Sequence, residues 1–326
     1  MICTRSWRKG TSISRMMKRQ LLFLKGVLPI LAVLLLAGCQ VLPEKEEGPL
    51  KVGLLLTTSP DEAYSEGYYG YQALKALESG YGVEIAYNEN VASPDNAGFL
   101  LNSYGKNGYD LVIGIGELFM IPMLNAGPSY PQTTFICING QESGENVHSY
   151  DLPDDTIAFL AGAIAASGSP GPSVGYVLKE GMEVYYEEFL RGVRSVRPDG
   201  TAEVFWVQSA LSFKELVANL KSAGIQSAAL YYNSPELEKL LTDAGIATSV
   251  IGGYKGLEDQ SRLQLPRVAY DYTVMVDQVF KDFQKGAYGE NRAILGFQNR
   301  SVYVDSLGLL GERERLNLEG LVKTFQ

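Results

Sequence analysis

The sequence predicts an α/β protein of two doubly wound lobes joined by a hinge, with a cleft between them. Three observations predict it. From residue 51 onward, short apolar runs alternate with segments of helical period. The runs are continuous in apolar character, as parallel strands covered on both faces require. The alternation restarts after residue 150, and the ~280 residues that follow the N-terminal leader are enough for two domains of ordinary size.

The elements follow in order. KVGLLLTT (51–58) reads as a strand and 64–78 as a helix. GVEIAYN (82–88) is a strand, and the next helix opens with Ser93 as N-cap and Pro94 at its first position. YDLVIGIG (109–116) is a buried strand, ELFMIPMLNAG (117–127) a short helix, and TTFICIN (133–139) another buried strand. The restart begins with the helix DTIAFLAGAIAAS (155–167), rich in small residues, and the break GSPGPS (168–173). SVGYVLK, AEVFWVQ, SAALYYN and ATSVIGG then read as strands separated by helices over 183–196, 212–224 and 234–245. Ser212 with Glu215 three residues on has the pattern of a capping box. A long helix over 273–286, a strand VYVDS (302–306) and a last helix over 313–325 close the chain.

The first 38 residues read as a secretory leader. Lys18 and Arg19 precede an apolar run that ends in Leu-Ala-Gly-Cys at 36–39. That ending resembles the lipobox of bacterial lipoproteins, in which the cysteine becomes the lipidated first residue, here Cys39. A membrane span needs about 20 apolar residues, and Lys25 with Pro29 shortens the uninterrupted run. The tandem Met16-Met17 suggests an alternative start. Residues 39–49 then serve as a lipidated tether, with EKEEGP (44–49) solvated.

The leader carries Arg5, Arg8, Lys9, Arg15, Lys18, Arg19 and Lys25 and no acid, so its removal leaves 21 basic against 37 acidic residues, a net charge of −16. A nucleic-acid partner needs a basic footprint, which this balance lacks. Beyond Cys3 and Cys39 only Cys137 remains, in a strand-like run, so a disulfide framework is excluded and a small core residue is expected. The single histidine, His148, on what reads as an edge strand, makes a zinc site and a Ser-His-Asp arrangement implausible. No G-x-S-x-G elbow, Walker A sequence or G-x-G-x-x-G fingerprint is present. The expectation is a protein without catalysis, cofactor or metal.

Three stretches carry a closer resemblance: KVGLLLTTSPDEAYSEGYYGYQALKALE (51–78), the pair YDLVIGIGELF and YPQTTFICING, and IAFLAGAIAAS with GPSVGYVLKEGMEVYYEEFLRGVRS. Together they resemble the basic membrane protein family of substrate-binding lipoproteins, whose characterised members are purine-nucleoside receptors of ABC transporters. The two-lobe pattern on a lipid tether is similar to the periplasmic-binding-protein architecture. The resemblance implies a chain that crosses between lobes near Ser149, Gly252 and Tyr288. The N-terminal lobe would then comprise 50–149 and 252–287, the C-terminal lobe 150–251 and 288–326. It also implies a small-molecule ligand and partnership with an ABC permease and ATPase, at the extracytoplasmic face of the cell membrane.

The resemblance also assigns site residues. Asp61, Tyr64 and Ser65 match the loop that holds a base, although Asp61 fits equally well as a helix N-cap. Glu117 and Phe119 match the loop after the third strand, and Tyr186 the aromatic of the second lobe. Where receptors of the family carry a Gly-rich loop, this chain has Asn233-Ser234-Pro235. Where they carry the Asp that grips the ribose, it has Tyr254, and near their Lys it has Tyr270. Tyr254 and Tyr270 would line or fill the cleft. These departures leave two readings open: a solute receptor with altered ribose contacts, or a membrane-tethered regulator like those regulatory members of the family that also have an eroded ligand set. On helical spacing, Tyr68, Tyr71, Leu74 and Leu77 are expected to pack the first helix onto the sheet.

Overall fold

The computed structural model describes residues 48–62, 65–180, 184–209, 212–231, 234–253, 264–288 and 293–326. The leader, Cys39 and most of the tether, as well as Tyr64, Asn233 and Tyr254, lie outside the described residues. Residues 49–326 form one compact unit.

Its strands are β1 (Lys51–Leu55), β2 (Glu84–Asn88), β3 (Leu111–Ile115), β4 (Thr134–Ile138), β5 (Val147–Asp151) and β6 (Ser173–Lys179), then β7 (Thr201–Val207), β8 (Ser227–Leu230), β9 (Ala247–Gly253), β10 (Arg267–Tyr270), β11 (Ala293–Ile294) and β12 (Val302–Asp305). The helices are α1 (Glu66–Tyr81), α2 (Pro94–Lys106), α3 (Met120–Ala126), α4 (Asp154–Ser167), α5 (Tyr186–Val196), α6 (Phe213–Ser222), α7 (Pro235–Asp243), α8 (Tyr272–Lys285) and α9 (Glu312–Lys323). The strands form two six-stranded sheets, ordered β11-β5-β4-β3-β1-β2 and β12-β10-β9-β8-β6-β7. All pairings are parallel except β10 with β12.

Each sheet is covered on both faces, as its continuous apolar strands demand. In β1 the alternation is visible: Val52, Leu54 and Leu56 join a core shared with α1, while Leu55 joins the opposite core with α2 and α3. The shared core runs on into α4, α5, α8 and the second sheet. A third core lies between the second sheet, α6 and α7. Cys137 is a buried core residue, its thiol pushed up to about 12 by burial.

Close helix packing rests on glycine. Gly162 in α4 and Gly192 in α5 face each other's helix so tightly that a Cβ on either would fall on the backbone carbonyl of Phe189 or Phe159. In α1 a Cβ on Gly67 would meet the Thr58 carbonyl, and one on Gly70 would meet Leu56 and Ile115. These glycines turn the buried face of α1 onto Gly67, Tyr69, Gly70, Ala73, Leu74 and Leu77. Tyr69 is therefore the buried ring, and Tyr68 and Tyr71 only flank the core, unlike the stripe expected from spacing.

Sheet membership moves two of the expected crossings. β10 belongs to the second sheet, so the chain returns to the first lobe between Tyr270 and α8, well past Gly252. It leaves again after β11, which still pairs with β5 in the first sheet, and not at Tyr288. The first crossing follows Asp151, the end of β5. His148 is not on an edge strand, because β5 has β4 on one side and β11 on the other. Its ring stacks on Tyr288 at 3.7 Å.

Candidate functional site

In open α/β sheets ligands bind beyond the carboxyl ends of the strands. In the first lobe that edge is polar. Past β1, the Thr57 hydroxyl donates to Glu66 Oε1 at 2.9 Å, and the Gly67 N–H donates to Thr58 Oγ1 at 2.8 Å. Beyond β3, Gly116 takes φ +112°, and beyond β4 Asn139 takes φ +65°. Burial raises the Glu66 carboxyl to about 7, against an ordinary value of 4.5, and the hydrogen bonds from Thr57 only partly oppose that rise.

The second lobe presents tyrosines. Tyr231, just past β8, donates its hydroxyl to Asp154 Oδ1 at 2.7 Å, in the first turn of α4. The Tyr231 and Tyr270 hydroxyls are 3.4 Å apart. The Tyr270 ring covers Gly252, whose φ of +81° leaves no Cβ in its way. Tyr270 meets Tyr272 edge to face at 6.2 Å, and Tyr272 stacks on Tyr69 at 6.3 Å. The series Asp154, Tyr231, Tyr270, Tyr272, Tyr69 thus runs from the second lobe to the first along the segment where the chain crosses. Burial holds the phenols of Tyr231 and Tyr272 well above their ordinary value, and the charge of Glu66 adds to the rise at Tyr272.

The expected site residues divide. Tyr270 lies in this series, and Glu117 is exposed at the carboxyl edge, opening the turn after β3. Asp61 is exposed in the preceding loop and is not the N-cap of α1. Ser65 is that cap: its hydroxyl accepts from the Tyr68 N–H at 3.0 Å and donates to the Ser59 carbonyl at 3.1 Å, so it is committed to the backbone. Phe119 is removed from the site. It is fully buried against Gly114 and Met123 on the far side of the first sheet, because the chain turns under the sheet at Glu117–Phe119. The Tyr186 hydroxyl donates to the Ala202 carbonyl at 3.1 Å, near the start of β7, and so ties α5 to the outer strand. Ser212 makes no capping bond to its helix, because its hydroxyl is turned back onto Ser209.

Sequence reasoning passed over Glu66, Asp154, Tyr231 and Tyr272. Asp154 and Asp155 are an acidic pair at a helix start, where acids are ordinary, and Glu66 directly follows Ser65. Among the described residues no group of three or more His, Cys, Asp or Glu side chains is placed to hold a metal ion, and no helix is long and apolar enough to cross a membrane.

Residues 58–215 match the family model Bmp, described as "ABC transporter substrate-binding protein PnrA-like". The match spans just under half of the chain, and over that stretch the chain is similar to the Bmp family. Transcriptional activator protein med of Bacillus subtilis is 24% identical over 285 residues, covering 84% of this chain and 89% of that one. The ABC transporter nucleoside-binding protein BmpA of Lactococcus lactis is 25% identical over 217 residues, covering 65% and 58%. In structure, an ABC transporter solute-binding protein from Conexibacter woesei matches at a TM-score of 0.68 and 16% identity, covering 85% of this chain and 96% of that one. The chain therefore has the two-lobe fold of solute-binding proteins, and the family whose model matches is described as one of ABC transporter substrate-binding proteins.

Proposed function

We propose that the chain is a lipid-anchored, extracytoplasmic solute-binding protein of an ABC importer, taking a small purine-nucleoside-like molecule between its lobes. The observation that carries this reading is the tyrosine series ending beside Glu66. It sets aromatic rings and a carboxyl with a near-neutral titration point at the carboxyl edges of the two sheets. Aromatic faces suit a planar base, and a neutral carboxyl both donates and accepts, as the edge of an amide-like base requires. Asp61, Tyr64 and Glu117 are the proposed contacts from the first lobe, with Asn233, Tyr254 and Tyr270 from the second. The nucleoside-binding relative from Lactococcus lactis supports the ligand class. The ligand's permease and ATPase follow from the family, and Cys39 is the proposed lipid site.

Calorimetric titration of the chain with inosine, guanosine and their free bases tests the reading. Saturable binding that Tyr64→Ala removes is expected, and an absence of binding across the set overturns it. Labelling with a radioactive fatty acid should mark the chain, and Cys39→Ala should not be marked. A second reading, a membrane-tethered regulator, is favoured by the med relative, which this chain covers almost fully. It expects no ligand-dependent closure of the lobes.

A further inference from the structure

Four strands end the two sheets, and they differ in length. β11 has two residues, β12 four, β2 five and β7 seven. Natural proteins keep edge strands short, charged or covered, because an open edge is a template for another strand. β7 is the long exception. Among the described residues no strand pairs with its outer side. Tyr186 covers the start of the strand at Ala202, so the open stretch begins at Glu203.

The space beside that stretch is a groove of about 600 Å³. One wall is β7 from Glu203 to Trp206, continued by Gln208, and the other is the face of α6 with Glu215, Leu216 and Asn219. Helix α6 and the outer edge of β7 thus line the same groove. Trp206 is 43% exposed there, although tryptophan is a residue that folding usually covers. Among the described residues, the charged ones that line the groove are Glu203 and Glu215, with no lysine or arginine beside them.

We infer that this groove is a docking site for an extended, basic segment of another protein, which adds as a strand to the outer edge of β7. Main-chain bonds along the edge would supply affinity, and side chains reaching Trp206 and the two glutamates would supply specificity. Charge complementarity chooses the occupant. The acidic tether EKEEGP of this chain would be repelled. A second copy docked edge to edge would bring the glutamates of both chains into one groove. A segment alternating lysine or arginine with β-branched residues meets neither obstacle.

The leader holds the other tryptophan, so in the chain from Gln40 onward Trp206 is the sole one and reports directly. That chain retains the whole compact unit. The probes are a capped heptapeptide alternating lysine with valine and threonine, its glutamate counterpart, and the basic peptide with a central proline. The basic peptide should shift Trp206 emission saturably and slow amide exchange in 203–207 at least tenfold. Raised salt should weaken it, and Glu203→Lys and Glu215→Lys should each weaken it about tenfold while leaving the melting temperature unchanged. Absence of a saturable shift, equal binding of the acidic or proline peptide, or protection elsewhere overturns the inference. So does β7 protection that appears without peptide and rises with chain concentration, which would show self-pairing.

Discussion

The carboxyl edges of the two sheets are built from different materials. In the first lobe the strands end in hydroxyls, glycine and left-handed turns, with Glu66 held by Thr57. In the second they end in tyrosine, and Tyr231 and Tyr270 lean on Asp154 and on each other. The helix contacts behind these edges differ as well. α4 and α5 meet glycine to glycine. The pair α1 and α8 is joined instead by tyrosines: Tyr69 on Tyr272, and Tyr81 donating to Asp277 at 2.6 Å. The carboxyl edge of the first sheet is thus polar and titratable, that of the second aromatic and buried.

The largest effect should come from spoiling the glycine contact. Gly192→Val puts branched carbons onto the Phe159 carbonyl and should cost about 3 kcal/mol or more, read from denaturant unfolding. Ala73→Val, at a buried alanine on α1, should cost less, and equal costs would erase the contrast between the helix pairs.

Glu66→Gln sharpens the contrast at the polar wall. The folded carboxyl titrates near 7 and the unfolded one near 4.5, so the folded state binds more protons between these values. Stability is then full below the unfolded value and falls as pH rises through 7. The glutamine variant should match the parent at pH 4 and exceed it at pH 8 by about 1–3 kcal/mol, the lower end reflecting a carboxyl only partly withdrawn from water. Parallel pH profiles for the two proteins would contradict this.

Tyr231→Phe removes the bond to Asp154 and should cost about 1–2 kcal/mol in thermal unfolding. Ser65→Ala removes the cap of α1 and should cost about 1 kcal/mol, with Ser65→Asp restoring most of it.

Much of the fold was legible in the sequence, and the reasons are local. Continuous apolar runs marked β1, β3, β4 and β6, and Ser93-Pro94 marked the start of α2. What depends on distant pairing was not legible. β10 is four residues long and carries a buried Arg267, so no apolar run announced it, and the crossing it controls was misplaced. Phe119 looked like a cleft residue because its loop follows a strand, but Gly114 leaves a hollow under the sheet that the ring fills. Tyr270 was expected near the cleft from the resemblance alone, and its contacts with Tyr231 and Tyr272 depend on the pairing of β10. Glu66 was hidden because a first-turn glutamate is ordinary at a helix start, and only the covering by Thr57 and the tyrosines makes it unusual.

The central claim is that the two unlike walls hold a purine-nucleoside-like molecule. Thermal unfolding of the chain from Gln40 onward, against inosine, guanosine, their bases and unrelated metabolites, tests it most directly. At about 100 times its dissociation constant a true ligand stabilises by roughly 2.7 kcal/mol. The account predicts a rise of several degrees with a purine compound, abolished by Tyr64→Ala. A melting temperature that no purine compound moves would contradict it and leave the regulatory reading the stronger.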